Sequence, residues 1–277
     1  MNVPGGEPWL NTLVYGRAVA TGDSRIAFCH GLFGQGRNWS TVGRGLADSG
    51  WLVALPDLPN HGRSGWTDPV DYGQMAEAVA GEFHRLGGAS RWALVGHSMG
   101  GKVAMRLALD HPDLVERLCV VDIAPAAQPE PSPFARYVEA MRSVDLDRLT
   151  GRERADAQLT DAVPDPAVRA FLLQNLRRYP ADGGRWRWQM NLAVLGDQLD
   201  RVGGWPEPTN RPYPGPVLWV AGARSDYVRP EHGPVMRALF PQARLVTVKN
   251  AGHWVHSEQP EVFSSILRSF LAAEPTR

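Results

Sequence analysis

Ser98 lies at the centre of Gly96-His97-Ser98-Met99-Gly100, a G-x-S-x-G sequence. The apolar run Trp92–Val95 comes just before it, and Gly101–Leu109, with helical spacing of apolar residues, comes just after it. So sharp a turn between a strand and a helix forces its central residue into a strained conformation, and flanking glycines let neighbouring chain approach. The pattern predicts a serine nucleophile at the start of a helix, where backbone amides favour negative charge.

A serine hydroxyl is a poor nucleophile until a base removes its proton. His253 is the candidate base, because it follows the last apolar run within Asn250-Ala251-Gly252-His253-Trp254. The preceding glycine permits a tight loop that returns the imidazole toward Ser98. His256 lies three residues further on, but no H-E-x-x-H or other ligand set accompanies the pair, so no metal site is expected.

Acyl transfer places negative charge on a carbonyl oxygen, and two backbone amides must point at that oxygen. The residue after the nucleophile, Met99, is expected to supply one amide. The loop His30-Gly31-Leu32-Phe33-Gly34 follows the first long apolar run, and its Leu32 amide is expected to supply the other. These two amides form the predicted oxyanion hole.

The elements that must position these residues alternate along the chain. Near-continuous apolar runs are typical of strands in a parallel sheet that is covered on both faces. Amphipathic segments between them predict helices and right-handed crossovers, hence an α/β fold with a mostly parallel, doubly wound sheet. The strand candidates are Ile26–His30, Trp51–Pro56, Arg91–Val95, Leu118–Ile123, Pro216–Ala221 and Ala243–Val248.

The stretch from about residue 126 to residue 213 breaks this alternation. Proline-rich boundaries flank it, and it shows helical patterns without a clear buried strand. We expect residues 1–125 and 214–277 to form the core domain and residues 126–213 to form a helical cap over the carboxyl ends of the strands. The expected cap helices are Phe134–Val144, Arg152–Leu159, Ala167–Arg178 and Trp188–Val202.

The order of these motifs resembles the α/β-hydrolase superfamily over nearly the whole chain. More narrowly, His30–Gly34, Asn60-His61-Gly62, Asp122-Ile123-Ala124-Pro125 and Asn250–His256 resemble a branch of small bacterial acyl esterases and mitochondrial abhydrolase-domain proteins. The resemblance implies hydrolysis of esters or thioesters without a cofactor. Asp57 and the Asn60–Ser64 loop are expected to brace the floor of the site.

The acid that would orient the histidine has two candidates. The resembled superfamily usually places it three residues after a glycine at the end of the penultimate strand, where this chain has Ser225, with Asp226 one residue later. The resembled branch tends to lack an acid there. Asp122 ends the strand that follows the nucleophile helix and would face the same cleft. We expect Asp122 to be the acid, with Asp226 as the alternative and Ser225 as a hydrogen-bonding brace for His253.

Composition limits the partners of this 277-residue chain. Its 29 Lys and Arg residues balance 29 Asp and Glu residues, and no run of like charge is present. Because nucleic-acid binding needs a local excess of basic residues, nucleic acid is not an expected partner. The sequence shows no signal peptide and no apolar run near the roughly 20 residues that span a bilayer, so we expect a soluble, cytoplasmic protein.

The sequence therefore predicts a serine carboxylic-ester hydrolase that acts on short to medium acyl esters or thioesters through a Ser-His-Asp triad and an acyl-enzyme. Other chemistry on the same scaffold stays open, namely carbon–carbon bond hydrolysis, perhydrolysis or a lyase reaction. A non-catalytic receptor and an interaction protein with a vestigial site are further alternatives. A small-molecule ester or thioester is the expected partner, and formation of a homodimer stays open.

Overall fold

A computed structural model describes residues 9–17, 24–88, 90–128, 132–206 and 211–273. Within these ranges, seven of nine strands form one sheet, and the other two form a separate hairpin. The strands are β1 (Thr12–Tyr15), β2 (Arg25–Cys29), β3 (Leu52–Pro56), β4 (Trp92–His97), β5 (Val115–Val121), β6 (Leu176–Tyr179), β7 (Arg185–Trp188), β8 (Val217–Gly222) and β9 (Ala243–Val248). The large sheet has the order β1-β3-β2-β4-β5-β8-β9, and only β1 pairs antiparallel in it.

The same ranges contain eleven α-helices, most of them amphipathic. They are α1 (Ser40–Ala47), α2 (Tyr72–Gly87), α3 (Met99–Asp110), α4 (Ala135–Ser143), α5 (Arg152–Leu159), α6 (Pro166–Leu173), α7 (Leu192–Asp197), α8 (Leu199–Gly203), α9 (Gly233–Leu239), α10 (Val255–Glu258) and α11 (Pro260–Ala272). The side chain of Asp71 accepts a hydrogen bond from the Gln74 amide and so caps the start of α2.

The sheet divides the apolar core into two clusters, one on each face. Successive residues of β2 alternate between them, because side chains of a strand point to opposite faces. Ala27 packs in the cluster that includes α2 and α3, whereas Phe28 packs in the cluster that includes α1 and α11. All five residues of β2 are buried, which agrees with a sheet covered on both sides. The predicted doubly wound, mostly parallel sheet is thereby confirmed.

Several strand ends differ from the sequence prediction by one or two residues, and two of these differences concern the site. β4 runs to His97, two residues beyond the predicted Val95, so the strand reaches the turn at Ser98 without a break. β5 ends at Val121 rather than at Ile123. The reason is that Asp122 adopts a positive φ of 51°, which no extended strand allows.

The inserted segment, defined here as residues 126–213, contains a β-hairpin that the sequence did not predict. The predicted helix Ala167–Arg178 ends at Leu173, and β6 and β7 pair antiparallel after it. Gly183 and Gly184, with φ of 70° and 78°, allow the connection between the two strands. The helix predicted for Ala167–Arg178 was therefore wrong beyond Leu173, because alternation in two four-residue strands is too short to distinguish from helical spacing.

Candidate active site

Ser98 occupies the turn between β4 and α3, and its backbone is strained, with φ of 53° and ψ of −122°. A Cβ atom at Gly96 would lie 2.3 Å from the Gly100 carbonyl oxygen, and one at Gly100 would lie 2.4 Å from the Cys29 carbonyl oxygen. Only glycine fits at either position. The Ser98 amide donates to the Val121 carbonyl at 3.0 Å, so the turn is hydrogen-bonded to the neighbouring strand.

His253 lies in the loop between β9 and α10, and its Nε2 atom is 2.9 Å from Ser98 Oγ. Tyr227 stacks on the imidazole with ring centroids 4.0 Å apart and an interplanar angle of 22°. The His97 Nε2 atom is 2.8 Å from the His253 carbonyl oxygen, so the residue beside the nucleophile also holds the histidine loop. The side chain of His253 is only 11% exposed, which leaves it few other orientations.

Asp122 lies on the other side of the imidazole, with Oδ2 2.8 Å from His253 Nδ1. In the tautomer with its proton on Nδ1, the histidine donates to Asp122 and accepts from Ser98. The carboxylate is fully buried and also accepts from the Gly222 amide at 2.9 Å and from the Ser225 hydroxyl. These donors offset the cost of burying its charge.

The structure brings together one of the two acid candidates, since Asp226 is exposed and Asp122 contacts the histidine. Ser225 occupies the position where the resembled superfamily usually has its acid. The expectation that Ser225 would brace His253 was wrong, because its hydroxyl donates to Asp122 instead. The serine therefore acts on the imidazole only through the carboxylate.

The two predicted oxyanion donors, Leu32 and Met99, lie beside Ser98 and line the same small cavity. Met99 is the first residue of α3, so its amide has no acceptor within that helix. The loop that carries Leu32 turns through a hydrogen bond from the Gly34 amide to the Gly31 carbonyl, 2.9 Å. Phe33 in this loop has a positive φ of 61°, and its amide donates to His61 Nε2 at 3.2 Å.

Two buried histidines brace the loops under the site. His30 Nε2 accepts from the Leu58 amide at 2.9 Å, and His61 Nε2 accepts from the Phe33 amide, so neither nitrogen can take up a proton without losing a bond. Burial lowers the pKa of His30 to about 4 and that of His61 to about 3. Both therefore stay neutral at physiological pH.

Asp57 joins the same supporting network, as the sequence predicted. Its Oδ1 accepts from the Gly36 amide at 2.8 Å, and its Oδ2 accepts from the Arg63 amide at 3.0 Å. The carboxylate thus links the loop after β2 to the loop after β3. Asn11 donates a further hydrogen bond to Oδ2 at 2.9 Å.

Two small cavities adjoin Ser98, and one of them shares lining residues with a larger groove. A cavity of about 30 Å³ lies between Ser98, Tyr227 and Phe134 of the inserted segment. A second cavity, of about 20 Å³, touches Ser98 and His253 and reaches Phe171 and Trp254. Those two aromatic residues also line a groove of about 460 Å³ beside α1 and α11.

Sequence reasoning missed several residues of the site. Tyr227 gave no signal, because its stacking on His253 depends on a loop after β8 that propensity does not define. Lys102 was missed although it follows Ser98 by four residues, one helical turn, and its side chain is almost fully buried beside the nucleophile. The lysine spacing could have been noticed, but its burial could not have been.

The family model for the alpha/beta hydrolase fold matches residues 25–260, from β2 to the start of α11. The chain belongs to the α/β-hydrolase fold family. The resemblance drawn from the sequence motifs is thereby confirmed, and the seven-stranded sheet with its flanking helices is the core of an α/β-hydrolase.

Relatives of this α/β-hydrolase include named esterases and lipases. The mouse sn-1-specific diacylglycerol lipase ABHD11 is 41% identical over 252 residues, which cover 89% of this chain and 80% of the relative. Esterase YbfF of Escherichia coli K12 is 30% identical over 252 residues, covering 90% of this chain and 93% of the relative. A solved marine microorganism esterase is 32% identical, with a TM-score of 0.88 over 95% of this chain and 99% of that chain. These relatives support an ester hydrolase.

In the part of the α/β-hydrolase chain that the structure describes, no helix has the length and apolar character needed to cross a bilayer.

Proposed function

We propose that this protein is a serine-dependent hydrolase of short to medium carboxylic esters or thioesters that works through an acyl-enzyme. The observation that carries the proposal is the pair of contacts at His253, with Ser98 Oγ at 2.9 Å from Nε2 and Asp122 Oδ2 at 2.8 Å from Nδ1. A serine is activated for acyl transfer when its hydroxyl is hydrogen-bonded to a histidine base and that histidine is hydrogen-bonded to an acid.

In the first half of the reaction, Ser98 Oγ bonds to the acyl carbon while its proton passes to His253 Nε2. The amides of Leu32 and Met99 stabilise the oxyanion, and one such donor is worth roughly 3 kcal/mol in the transition state. Asp122 stabilises the imidazolium that forms. The bond to the alcohol or thiol then breaks, and the leaving group takes the proton from His253.

In the second half, water replaces the leaving group. His253 accepts a proton from water as the water oxygen bonds to the acyl carbon. The bond between Ser98 Oγ and that carbon then breaks, the serine regains a proton from His253, and a carboxylic acid leaves. No cofactor enters this cycle.

We also propose that residues 126–213 act as a cap on the core domain of residues 1–125 and 214–277. Phe134 and Phe171 of the inserted segment line the two small cavities at Ser98, which supports this role. The small size of both cavities, about 30 Å³ and 20 Å³, favours short acyl groups over long ones. Cytoplasmic location and a homodimer stay predictions of the sequence.

A rapid-mixing experiment with p-nitrophenyl butyrate tests the acyl-enzyme. We expect a burst of nitrophenolate close to one equivalent per active site, a butyryl group on Ser98 by peptide mass spectrometry, and labelling by a fluorophosphonate probe. The Ser98→Ala variant is the matched control and should lose all three signals. A receptor or vestigial site would give neither burst nor label, and a lyase or carbon–carbon hydrolase would leave the ester intact; either result rejects the proposal.

A further inference from the structure

Lys102 lies on α3 one helical turn after Ser98, and its side chain is buried, with 1% of its surface exposed. Side chains of a helix lean toward its N-terminus, so this one extends back toward the nucleophile. It lines the cavity of about 30 Å³ that also touches Ser98, Leu32 and Met99. The lysine is thus part of the wall that an acyl group would meet.

The lysine ammonium is bonded to two backbone carbonyls. Nζ donates to the carbonyls of Gly203 and Gly204, both at 2.6 Å, at the end of α8. In the described part of the chain, no carboxylate forms an ion pair with it. An ammonium has three donors, so one remains after these two bonds. Burial without a counter-charge is unfavourable for a cation.

Gln128 is a second donor on the same wall. Its Nε2 atom is buried, and no acceptor among the described residues lies within hydrogen-bonding distance of it. Gln128 lines the same cavity as Lys102. Its backbone amide donates to the Gly203 carbonyl at 2.9 Å, the same oxygen that accepts from Lys102. Lys102 and Gln128 therefore line the same cavity, and among the described residues neither the third Nζ donor of Lys102 nor the Gln128 Nε2 atom has an assigned acceptor.

We propose that Lys102 and Gln128 form a carboxylate-binding end to the acyl site, so that the enzyme prefers acyl groups carrying a second, terminal carboxylate. The substrates of this class are half-esters or half-thioesters of short dicarboxylic acids. A carboxylate accepts several hydrogen bonds and supplies the missing negative charge. The inference rests on the proposed function, because it assumes that the acyl group is bound at Ser98.

The size of the cavity limits the length of such an acyl group. Its volume of about 30 Å³ holds roughly two water molecules. The carboxylate must therefore lie within a few atoms of the reacting carbonyl. Succinate is a suitable probe, since two methylene groups separate its carboxyl carbons.

The test compares two esters of the same shape that differ in charge. Monoethyl succinate and ethyl 4-methylpentanoate share the leaving group, and an isopropyl group in the second replaces the carboxylate of the first. We expect the wild-type kcat/KM, measured by ethanol release at pH 6, to favour monoethyl succinate by more than tenfold. Lys102→Met should reduce this ratio by at least tenfold, and Gln128→Leu should reduce it by a smaller factor.

Lys249→Met is the matched control, because the sequence has only these two lysines and Lys249 is exposed. We expect this control to keep the wild-type ratio. If Lys102→Met does not fold, the pH dependence of the wild-type ratio decides the question. Burial lowers the pKa of Lys102 to about 7, so the cation is present at pH 6 and lost by pH 9.

The ratio between the two esters should therefore fall as pH rises from 6 to 9. Both esters use the same proposed catalytic residues, so effects on catalysis that the two esters share cancel in the ratio. Burial raises the pKa of Tyr227, across the cavity, to about 12, and it also raises that of Tyr72, whose ring lies 5.8 Å from Nζ. Neither tyrosine titrates in this range.

Each outcome is decisive. A ratio near one in the wild type, or a ratio that neither Lys102→Met nor pH changes, would mean that the lysine only ties α8 to the core. Hydrolysis of ethyl 4-methylpentanoate with an acyl-enzyme would in that case leave the proposed function intact. Absence of turnover and of acyl-enzyme with both esters would instead reject the proposed function itself.

Discussion

The backbone conformation sets the positions of Ser98 and Asp122. The inserted segment, in contrast, is attached to the core by hydrogen bonds of side chains. Both residues have positive φ values, 53° and 51°, and follow directly from strands β4 and β5. The inserted segment instead contacts the core through hydrogen bonds such as those of Lys102 to Gly203 and Gly204.

The buried side chain of Asn175 shows the same mode of attachment. Its Nδ2 donates to the Phe33 carbonyl at 2.8 Å, and its Oδ1 accepts from Gln35 at 2.6 Å. Both partners belong to the loop that carries Leu32. Under the proposed function, this difference corresponds to a division of roles: the sheet provides the reaction, and the inserted segment shapes the acyl site and supports one oxyanion donor.

The largest loss of activity should come from substitutions at the carboxyl end of the sheet. Replacing His253 by alanine removes the base that contacts Ser98 Oγ. We expect kcat for p-nitrophenyl butyrate to fall by something on the order of 10⁴- to 10⁶-fold, with Ser98→Ala giving a similar loss and the double variant adding little. Circular dichroism checks the fold. Activity near the wild-type level in a folded variant would contradict the assigned roles.

The second largest loss of kcat should follow from a substitution of Asp122. Asp122→Asn keeps the shape of the side chain but favours the wrong histidine tautomer, so we expect kcat to fall by about 10⁴-fold. Asp226→Asn is the control and should retain wild-type kcat, since that side chain is exposed. The opposite pattern would assign the acid to Asp226.

Acidification should lower the free energy of unfolding, because three buried histidines near the site stay neutral in the folded chain. Burial lowers the pKa of His30 to about 4 and those of His61 and His256 to about 3, so all three are neutral in the folded chain. The unfolded chain takes up protons near pH 6.5 and the folded chain does not, so the free energy of unfolding falls as pH decreases below 6.5. Each histidine contributes roughly 1 kcal/mol per pH unit in this window.

Urea unfolding at pH 7.5 and pH 5.0 measures this dependence. His61→Gln should flatten it, because the variant has one histidine fewer to protonate on unfolding. The exposed His84, replaced by glutamine, serves as control and should leave the slope as it is. Equal slopes in His61→Gln and the wild type would contradict a neutral, buried His61.

In the inserted segment, Asn175→Ala should lower the free energy of unfolding by about 2 kcal/mol. The substitution removes the short hydrogen bonds to the Phe33 carbonyl and from Gln35 and leaves these groups only long contacts to Gln174. We also expect a lower kcat, because the loop with Leu32 loses support. Arg154→Ala, at an exposed position on α5, should change stability by less than about 0.5 kcal/mol. An unchanged kcat would show that the core alone holds this loop.

The smallest effect should follow from Ser225→Ala. The serine hydroxyl donates to Asp122, so its loss should reduce kcat by about tenfold with little change in KM. Ser225→Thr, which keeps the hydroxyl, should restore most of the activity. Failure of threonine to restore kcat would indicate that the alanine variant acts through packing.

The sheet was predictable, and the proposed reacting residues could be selected, because the sequence signals for both are local. Ser98 lies between an apolar run and a helical pattern, and His253 follows a glycine after the last strand, so each motif predicts its own backbone geometry. Asp122 was favoured for its place at the end of a strand. Its partners, the Gly222 amide and Ser225, lie about 100 residues away and gave no such signal.

The inserted segment was harder to predict for the same physical reason. Its hairpin consists of two strands of four residues, shorter than the window in which a period can be recognised. Lys102 sits in a helical pattern that is typical of a solvated face, and only the carbonyls of Gly203 and Gly204 explain its burial. Contacts between distant parts of the chain determine whether such side chains are buried.

Ser98 and Asp122 directly follow the adjacent strands β4 and β5, so the register between these strands fixes their relative position. His97 pairs with Val121 across β4 and β5, the Ser98 amide bonds the Val121 carbonyl, and the Asp122 amide bonds the Val220 carbonyl. A shift of one residue in the pairing of β4 with β5 would turn the side chains of the shifted strand to the opposite face of the sheet. Specific activity therefore doubles as a quality measure for refolded or recombinant material, because a collapsed but misaligned chain can be soluble and helical yet cannot turn over substrate.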